Sequence, residues 1–178
     1  GRSHGRAFVL TTSHRHMEEL YKRCKERTDL PLLKQGNKPR HRLLQEFQGV
    51  VSSVLFATAS FWQGVDVQGD SLSCVIIVKL PFASPTDPIT AGKIEYLREQ
   101  GEDPFQVYQL PKAVIQLKQG VGRLIRTARD RGVIALLDRR LLEQSYGARF
   151  LKSLPPAPLT RDEAEIERFL FRTGKADH

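Results

Sequence analysis

The sequence has few cysteines and no long hydrophobic run. Cys24 and Cys74 are the two cysteines among 178 residues. Their wide separation matches no metal-ligand spacing, and two thiols make no disulfide framework, so we interpret both as structural. No apolar run approaches the roughly 18 residues that span a membrane, and no signal peptide is visible. We therefore expect a cytoplasmic protein without a membrane anchor.

Internal repeats and low-complexity segments are also missing, so neither a repeat protein nor a low-complexity chain is expected. The hydrophobic content of 40% and charged content of 27% are typical of a globular domain. We predict one domain over 1–178, with a core at about 6–154, a proline-rich linker at 155–159, and a C-terminal helix and tail at 160–178. The net charge of +8 suggests a polyanionic partner such as nucleic acid.

Short apolar runs predict buried strands. Each run is apolar throughout rather than alternating, which is typical of a parallel sheet covered on both faces. Four strong candidates lie at 7–11, 53–57, 74–78 and 132–138, and a weaker one lies at 31–34.

Helical patterns fall between these runs, at 14–27, 40–48, 89–100, 104–126 and 139–151, and Pro111 is expected to bend or divide the fourth helix. A capping box at Thr160 and Glu163 predicts a final helix to about 171. Strands alternating with helices predict an α/β fold with a mostly parallel sheet flanked by helices. In such folds ligands bind outside the carboxyl ends of the strands.

The segment 119–126 carries one glutamine and two arginines at helical spacing. Steps of three and four residues return to one face of a helix. Four positions therefore share a face, and they are Gln119, Gly122, Arg123 and Arg126. Guanidinium groups match phosphate oxygens, and glycine leaves room for close approach. The pattern predicts a phosphate site, with a solvated arginine face as the alternative.

A polar loop follows the predicted strand 53–57. Gly64 permits close approach of a ligand, and Asp66 can accept a hydrogen bond from a ribose hydroxyl or orient an arginine. Gln63 beside them can both donate and accept. The position after a strand predicts a ligand loop, and a turn between two strands is the alternative.

Together these two segments resemble motifs V and VI of superfamily 2 helicases. The likeness rests on the Gln-Gly-x-Asp loop at 63–66, the apolar run that leads to Lys-Leu-Pro-Phe at 79–82, and the Gln-x-x-Gly-Arg-x-x-Arg pattern at 119–126. The proline-containing segment 81–88 and Asp-Arg-Arg at 138–140 make the chain most similar to the DinG/XPD-type family. Residues 7–13 then resemble motif IV. The resemblance covers about residues 6–158 and implies the second RecA-like domain of a helicase, a three-layer fold.

The chain departs from this family in what it lacks. It has neither the G-x-x-x-x-G-K-[ST] phosphate loop nor the Asp-Glu-Ala-His box for magnesium. Its two cysteines cannot supply the four thiolates of the iron–sulfur cluster that many members hold. The resemblance therefore implies that ATP and magnesium are held mainly by an N-terminal helicase domain absent from this sequence. An iron–sulfur cluster, where there is one, would lie in that absent part, and none is expected in this chain.

Site roles follow from the resemblance. Arg123 and Arg126 would act as arginine fingers on the γ-phosphate of ATP, with Arg126 as the main contact, and Gln119 would orient an arginine or the attacking water. Gln63, Gly64, Asp66 and Gly122 would contact the nucleotide. Single-stranded or forked DNA would contact Ser13, Thr58, Ser60 and Trp62, with Trp62 as a stacking platform or, alternatively, a core or interdomain filler. Relatives move 5′ to 3′, and we expect a monomer.

Two other functions compete with the motor domain. The first is a basic, non-catalytic nucleic-acid-binding module that has kept a helicase-like fold. The second is a nuclease relative, which ranks last because the sequence shows no clustered carboxylates for two metal ions.

Overall fold

A computed structural model of the chain describes residues 5–50, 52–58, 61, 72–122 and 132–173, with side chains up to residue 169. Five parallel strands form one sheet in the order β2-β3-β1-β4-β5. The strands are β1 (Ala7–Thr11), β2 (Leu32–Lys34), β3 (Val54–Thr58), β4 (Cys74–Ile77) and β5 (Val133–Leu136). The predicted strands and the parallel sheet are confirmed, with boundaries shifted by at most two residues.

Helices cover both faces of this sheet. They are α1 (His14–Lys25), α2 (Arg40–Gly49), α3 (Pro88–Glu99), α4 (Leu110–Val121), α5 (Arg140–Glu143), α6 (Gly147–Ser153) and α7 (Glu163–Thr173). A π-helix (Phe105–Gln109) leads directly into α4. None of the described helices combines the length and the apolar character needed to cross a membrane.

The core has one layer on each side of the sheet, because alternate strand residues point to opposite faces. Phe8 and Leu10 of β1 pack with the larger cluster, which includes Phe47 of α2 and Leu117 of α4. Val9 points the other way, into a smaller cluster against α1. The apolar residues of the helix predicted at 14–27 form a stripe on its buried side, since Met17, Leu20, Tyr21 and Cys24 all belong to that second cluster.

The helix predicted at 104–126 differs from the observed one in two ways. Its first part is a π-helix, in which the N–H of Leu110 donates to the carbonyl of Phe105, five residues back. Proline lacks a donor and its ring collides with the carbonyl four residues earlier, and the change of helix type at Leu110 comes directly before Pro111. The division expected at this proline is therefore confirmed. The α-helix ends at Val121, with Gly122 as its C-cap, and the rest of the predicted helix, 123–126, lies outside the described residues.

The single helix predicted at 139–151 is wrong, because the chain forms α5 and α6 with a break between them. Gln144 is extended at the break, and the N–H of Gly147 donates to its carbonyl at 2.9 Å. A Cβ on Gly147 would lie 2.0 Å from the carbonyl oxygen of Leu141. Helical periodicity continues through 139–151, but this close backbone approach requires glycine and a fold-back.

The capping box predicted at Thr160 is also wrong in its position. The Thr160 hydroxyl accepts a hydrogen bond from the N–H of Asp162 at 3.0 Å, which forms a turn and not a cap. The carboxylate of Asp162 accepts from the N–H of Ala164 at 2.8 Å. Asp162 therefore caps α7, which begins at Glu163.

Both cysteines are free thiols. Cys74 is buried in β4, and burial raises the pKa of its thiol to about 11. A thiol that stays protonated at neutral pH is a poor nucleophile and a poor metal ligand.

Candidate functional site

The carboxyl ends of the neighbouring strands β1 and β4 meet α4 in one small pocket. Its interior volume is about 30 Å³, which leaves room for at least one water molecule. Three elements line it: the end of β1, the segment after β4, and the last turn of α4. The lining residues are Leu10, Thr11, Thr12, Ile77, Lys79, Pro81, Gln116, Leu117, Gln119 and Gly120.

Gln119 is the predicted catalytic residue that the structure places in this pocket. It is exposed on the last turn of α4, so its amide is available to a ligand. Gly122 follows as the C-cap, with a φ of −61° that any residue can adopt. A Cβ there would meet the carbonyl of Lys118, in its own helix, at 3.2 Å. The φ of Gly122 therefore does not require glycine, whereas a side chain there would need a small shift of the Lys118 carbonyl.

Ser13 lies where β1 passes into α1. Its hydroxyl oxygen accepts a hydrogen bond from the N–H of His16 at 3.3 Å and so caps the helix. The hydroxyl of Thr11 donates to the carbonyl of Ser13 at 3.1 Å and holds this turn in place. Because a hydroxyl can both donate and accept, the exposed Ser13 keeps its proton for an external acceptor.

Thr58 ends β3 opposite Thr11 in the parallel register, and its residue surface is 5% exposed. Its hydroxyl donates to the side-chain oxygen of Gln35 at 3.0 Å, and its N–H donates to the same oxygen at 2.8 Å. Thr58 is thus held inside the fold at the start of the predicted ligand loop. This contact joins the end of β3 to Gln35, the residue that follows the neighbouring strand β2.

Seven predicted site residues lie outside the described residues. They are Arg123, Arg126, Ser60, Trp62, Gln63 and Asp66, and Gly64 lies outside as well. Their assignments remain predictions from the sequence.

Sequence reasoning missed several residues at this edge. Thr11, Thr12 and Lys79 line the pocket, although each belongs to a segment that the sequence had already marked as a strand end. Gln35 was also missed, because its partner Thr58 is 23 residues away in the chain. A polar residue at the end of an apolar run, or directly after it, is the signal that these four positions share.

Asp138 follows β5 and fixes the segment that lines the pocket. Its carboxylate accepts from the N–H of Leu80 at 2.8 Å, and Lys79 and Pro81 on either side of Leu80 are pocket residues. Arg140 donates to the same carboxylate from Nε at 3.0 Å and from Nη2 at 2.6 Å. The guanidinium of Arg140 also lies over the ring of Phe82, 5.2 Å from its centroid. One charged pair therefore joins the ends of β4 and β5.

Burial alone would raise the pKa of Asp138, whose side chain is 8% exposed. The hydrogen bonds from Arg140 and from the N–H of Leu80 outweigh this effect and lower the pKa from its ordinary 3.8 to about 2. The charged form is favoured because the carboxylate accepts several donors, one of them cationic.

We expect the contribution of Asp138 to the free energy of unfolding to depend on pH. Because its pKa is lower in the folded state, the contribution is fully present above pH 3.8 and is lost as the pH falls towards 2. Asp138→Asn should lower the free energy of unfolding at pH 7 by about 1–2 kcal/mol, because the charged hydrogen bonds to Arg140 are lost. The loss stays moderate because solvent reaches Arg140 and screens its charge. Urea unfolding of both proteins from pH 7 to pH 2 measures this difference. Arg140→Gln should remove most of the same pH dependence, and a difference that stays constant over this range would contradict the assignment.

Within the described ranges, no three His, Cys, Asp or Glu side chains come together in a way that could hold a metal ion. Most of the pocket surface is apolar, and the polar residues among those that line it carry hydroxyl, amide and ammonium groups, which can bind anions or hydrogen-bond acceptors.

The all-parallel, five-stranded sheet flanked by helices is the arrangement of a RecA-like domain in the solved structures that it matches. Two solved structures titled XPD helicase and XPD apo share this fold. They superpose with TM-scores of 0.63 and 0.62 at 20% and 23% identity, over 86% and 83% of this chain and 28% and 31% of theirs. A family model described as the helicase C-terminal domain matches residues 2–157. The chain therefore belongs to the helicase C-terminal domain family.

Curated relatives agree with this family. The chain is 54% identical over 168 residues to the ATP-dependent DNA helicase YoaA of Escherichia coli (strain K12). The aligned region covers 94% of this chain and 26% of that protein. It is 38% identical over 169 residues to a Bacillus subtilis (strain 168) protein named 3'-5' exonuclease DinG, over 92% of this chain and 18% of the relative. The chain thus spans about a quarter or less of these relatives.

Proposed function

We propose that this chain is the C-terminal motor domain of an ATP-dependent DNA helicase. The observation that carries the proposal is the match of residues 2–157 to the helicase C-terminal domain family. The 54% identity to a protein named as an ATP-dependent DNA helicase supports it. A chain that spans 26% of that relative would supply one part of the enzyme and depend on an N-terminal domain for the rest.

In this proposal the domain completes an ATP site that the N-terminal domain begins. Arg126 and Arg123 would neutralise charge on the γ-phosphate during its transfer, which is the usual role of arginine fingers. The position of Gln119 supports this half of the proposal, because Gln119 is exposed at the carboxyl edge of the central strands. Gln63, Gly64, Asp66 and Gly122 would contact the nucleotide. Magnesium, held by the other domain, would neutralise further phosphate charge.

The same domain would hold part of the track for single-stranded DNA. Ser13 is exposed and has a hydroxyl proton to donate, so it suits a phosphate contact that does not read sequence. Ser60 and Trp62 would continue the track after β3. The buried Thr58 would act from inside, by fixing the start of that loop. Closure on ATP and opening after hydrolysis would then move the enzyme, as a cytoplasmic monomer, along the strand from 5′ to 3′.

The net charge of +8 also supports a second candidate, a basic nucleic-acid-binding module without motor activity. That module would bind DNA in a salt-dependent way, but its binding and biological role would be indifferent to Arg123 and Arg126.

The proposal is tested by measuring ATP hydrolysis with and without the missing domain. We expect no DNA-stimulated turnover from the pure 178-residue chain, because it lacks the phosphate loop and the magnesium box. The longer protein that contains both domains should hydrolyse ATP and unwind a duplex. Turnover by the isolated chain would contradict the division of labour, and an inactive two-domain protein that still binds DNA would favour the binding module.

A further inference from the structure

The turn after β2 holds the backbone of Gln35 against β3. The N–H of Gln35 donates to the carbonyl of Phe56 at 2.9 Å, and the N–H of Asn37 donates to the carbonyl of Lys34 at 3.3 Å, which closes a turn. Gly36 has a φ of +98° in this turn, a left-handed conformation that glycine adopts without steric cost. The backbone of Gln35 is therefore fixed before its side chain makes any contact.

The residue before Gln35 ties the same turn to α1. The ammonium of Lys34 forms an ion pair with Glu18, and the side chain of Lys34 is 14% exposed. The ammonium also lies over the ring of Tyr21, 5.1 Å from its centroid. The turn thus rests on both β3 and α1, so it can serve as a fixed support for other residues.

The side chain of Gln35 reaches from this support to the end of β3. Its amide oxygen accepts from the N–H of Thr58 at 2.8 Å and from the hydroxyl of Thr58 at 3.0 Å. A backbone N–H can only donate, so the atom that faces it must be the amide oxygen and not the nitrogen. Gln35 is half-buried and Thr58 is 5% exposed, so water screens these two bonds little.

A second anchor follows three residues after Thr58. Phe61 is 7% exposed and belongs to the larger core cluster, where its ring lies 6.5 Å from that of Phe8. The chain is therefore held on both sides of residues 59–60, by a polar contact at Thr58 and by an apolar one at Phe61. Gln63, the first predicted nucleotide contact, comes two residues after the second anchor.

We propose that Gln35 is a positioning residue of the nucleotide site. Its amide oxygen fixes Thr58 and thereby the start of the segment that carries Gln63, Gly64 and Asp66. The inference rests on the proposed nucleotide-contact role of this segment and adds a residue from outside the motifs. A segment that is already fixed loses less freedom when ATP binds, so the anchor favours binding of ATP.

The decisive variant is Gln35→Leu in the two-domain protein, because it removes the acceptor that both donors of Thr58 share. The KM for ATP should rise about tenfold, while kcat at saturating single-stranded DNA stays within about twofold, since binding is weakened equally in the ground state and the transition state. Gln35→Glu keeps an acceptor oxygen for the same two donors and should restore KM to within about twofold of its original value. Steady-state ATP hydrolysis over a series of ATP concentrations measures both constants.

Gln45→Leu is the matched control, because it makes the same chemical change at an exposed position of α2. Its KM and kcat should both stay unchanged. The division between KM and kcat also separates positioning from a loss of folded protein. A smaller folded fraction lowers kcat and leaves KM as it was, and that result for Gln35→Leu would overturn the positioning role.

Thr58→Val supplies an independent variant, in case Gln35→Leu impairs folding. It removes one of the two hydrogen bonds and keeps the N–H, so KM for ATP should rise by a smaller factor, about threefold. Because both changes break the same contact, the double variant should have the KM of Gln35→Leu alone. An unchanged KM in Thr58→Val, or effects that simply multiply, would overturn the inference.

The inference and the proposed function fail differently. If the two-domain protein hydrolyses ATP and Gln35→Leu has the same KM as Gln45→Leu, the inference is overturned and the proposed function stands. A rise in KM in Gln35→Glu equal to that in Gln35→Leu would assign the effect to the amide nitrogen and would also overturn the inference. Absence of ATP hydrolysis by the unmodified two-domain protein would overturn both.

Discussion

Replacement of Arg126 by alanine in the two-domain protein should lower kcat for ATP hydrolysis by about 10³–10⁵-fold, the range that an arginine finger contributes. The reason is electrostatic, because charge develops on the γ-phosphoryl oxygens in the transition state and a guanidinium aimed at them neutralises it. Affinity for single-stranded DNA should be largely retained, since the proposed DNA contacts lie on other segments. Steady-state ATPase assays at saturating DNA and DNA titrations measure the two effects separately.

Two further variants serve as controls for Arg126→Ala. Arg126→Lys keeps the charge but loses the forked guanidinium, so it should not restore the rate. Arg98→Ala removes an exposed arginine near the end of α3 and should leave kcat unchanged. If Arg126→Ala hydrolyses ATP at the normal rate, the finger assignment is wrong, and the same assay on Arg123→Ala decides whether the neighbouring arginine has that role.

The second large effect is expected in the larger core cluster, which contains Phe150. Phe150→Ala should lower the free energy of unfolding by about 3–5 kcal/mol, which corresponds to a fall in Tm of at least about 6 °C. Phe150 has an exposed fraction of 0%, and its ring lies 5.7 Å from that of Phe82 and 6.2 Å from that of Tyr146. The expected loss is large because removal of a fully buried ring creates a cavity that its neighbours cannot fill.

Phe169→Ala is the matched control, because Phe169 on α7 is 41% exposed. Its cost should stay below about 1 kcal/mol. Urea unfolding of the 178-residue chain measures both variants, and equal losses would contradict the assignment of Phe150 to the core. Phe82 also contacts Arg140 and follows the segment that lines the pocket. Phe150→Ala should therefore loosen the same segment that Asp138 holds.

Much of the local structure could be predicted because burial leaves a periodic pattern. The apolar run Ala7–Thr11 is β1 with the same limits, and the apolar stripe on α1 packs as expected. The division at Pro111 follows from covalent geometry. The break between α5 and α6 could not be predicted, since nothing in the periodicity of 139–151 indicates that the backbone of Leu141 approaches Gly147.

The candidate site was predicted in part. Gln119 was identified because helical spacing groups it with glycine and arginine, and it lies in the pocket. Lys79 and Thr12 were not identified, because only the arrangement of β1, β4 and α4 makes them its neighbours. Asp138 holds the N–H of Leu80 from 58 residues away, a contact to which local spacing gives no guide.

The sequence by itself determined the α/β class, the parallel sheet, the positive charge and the likeness to a helicase family, because hydrophobic periodicity and motif spacing are local properties. Only the tertiary structure decided the strand order, with β1 between β3 and β4, and the contacts Gln35–Thr58 and Leu80–Asp138 that fix the strand ends. These features depend on how distant segments pack together, and that packing is settled by the whole core at once and not by any one stretch of residues.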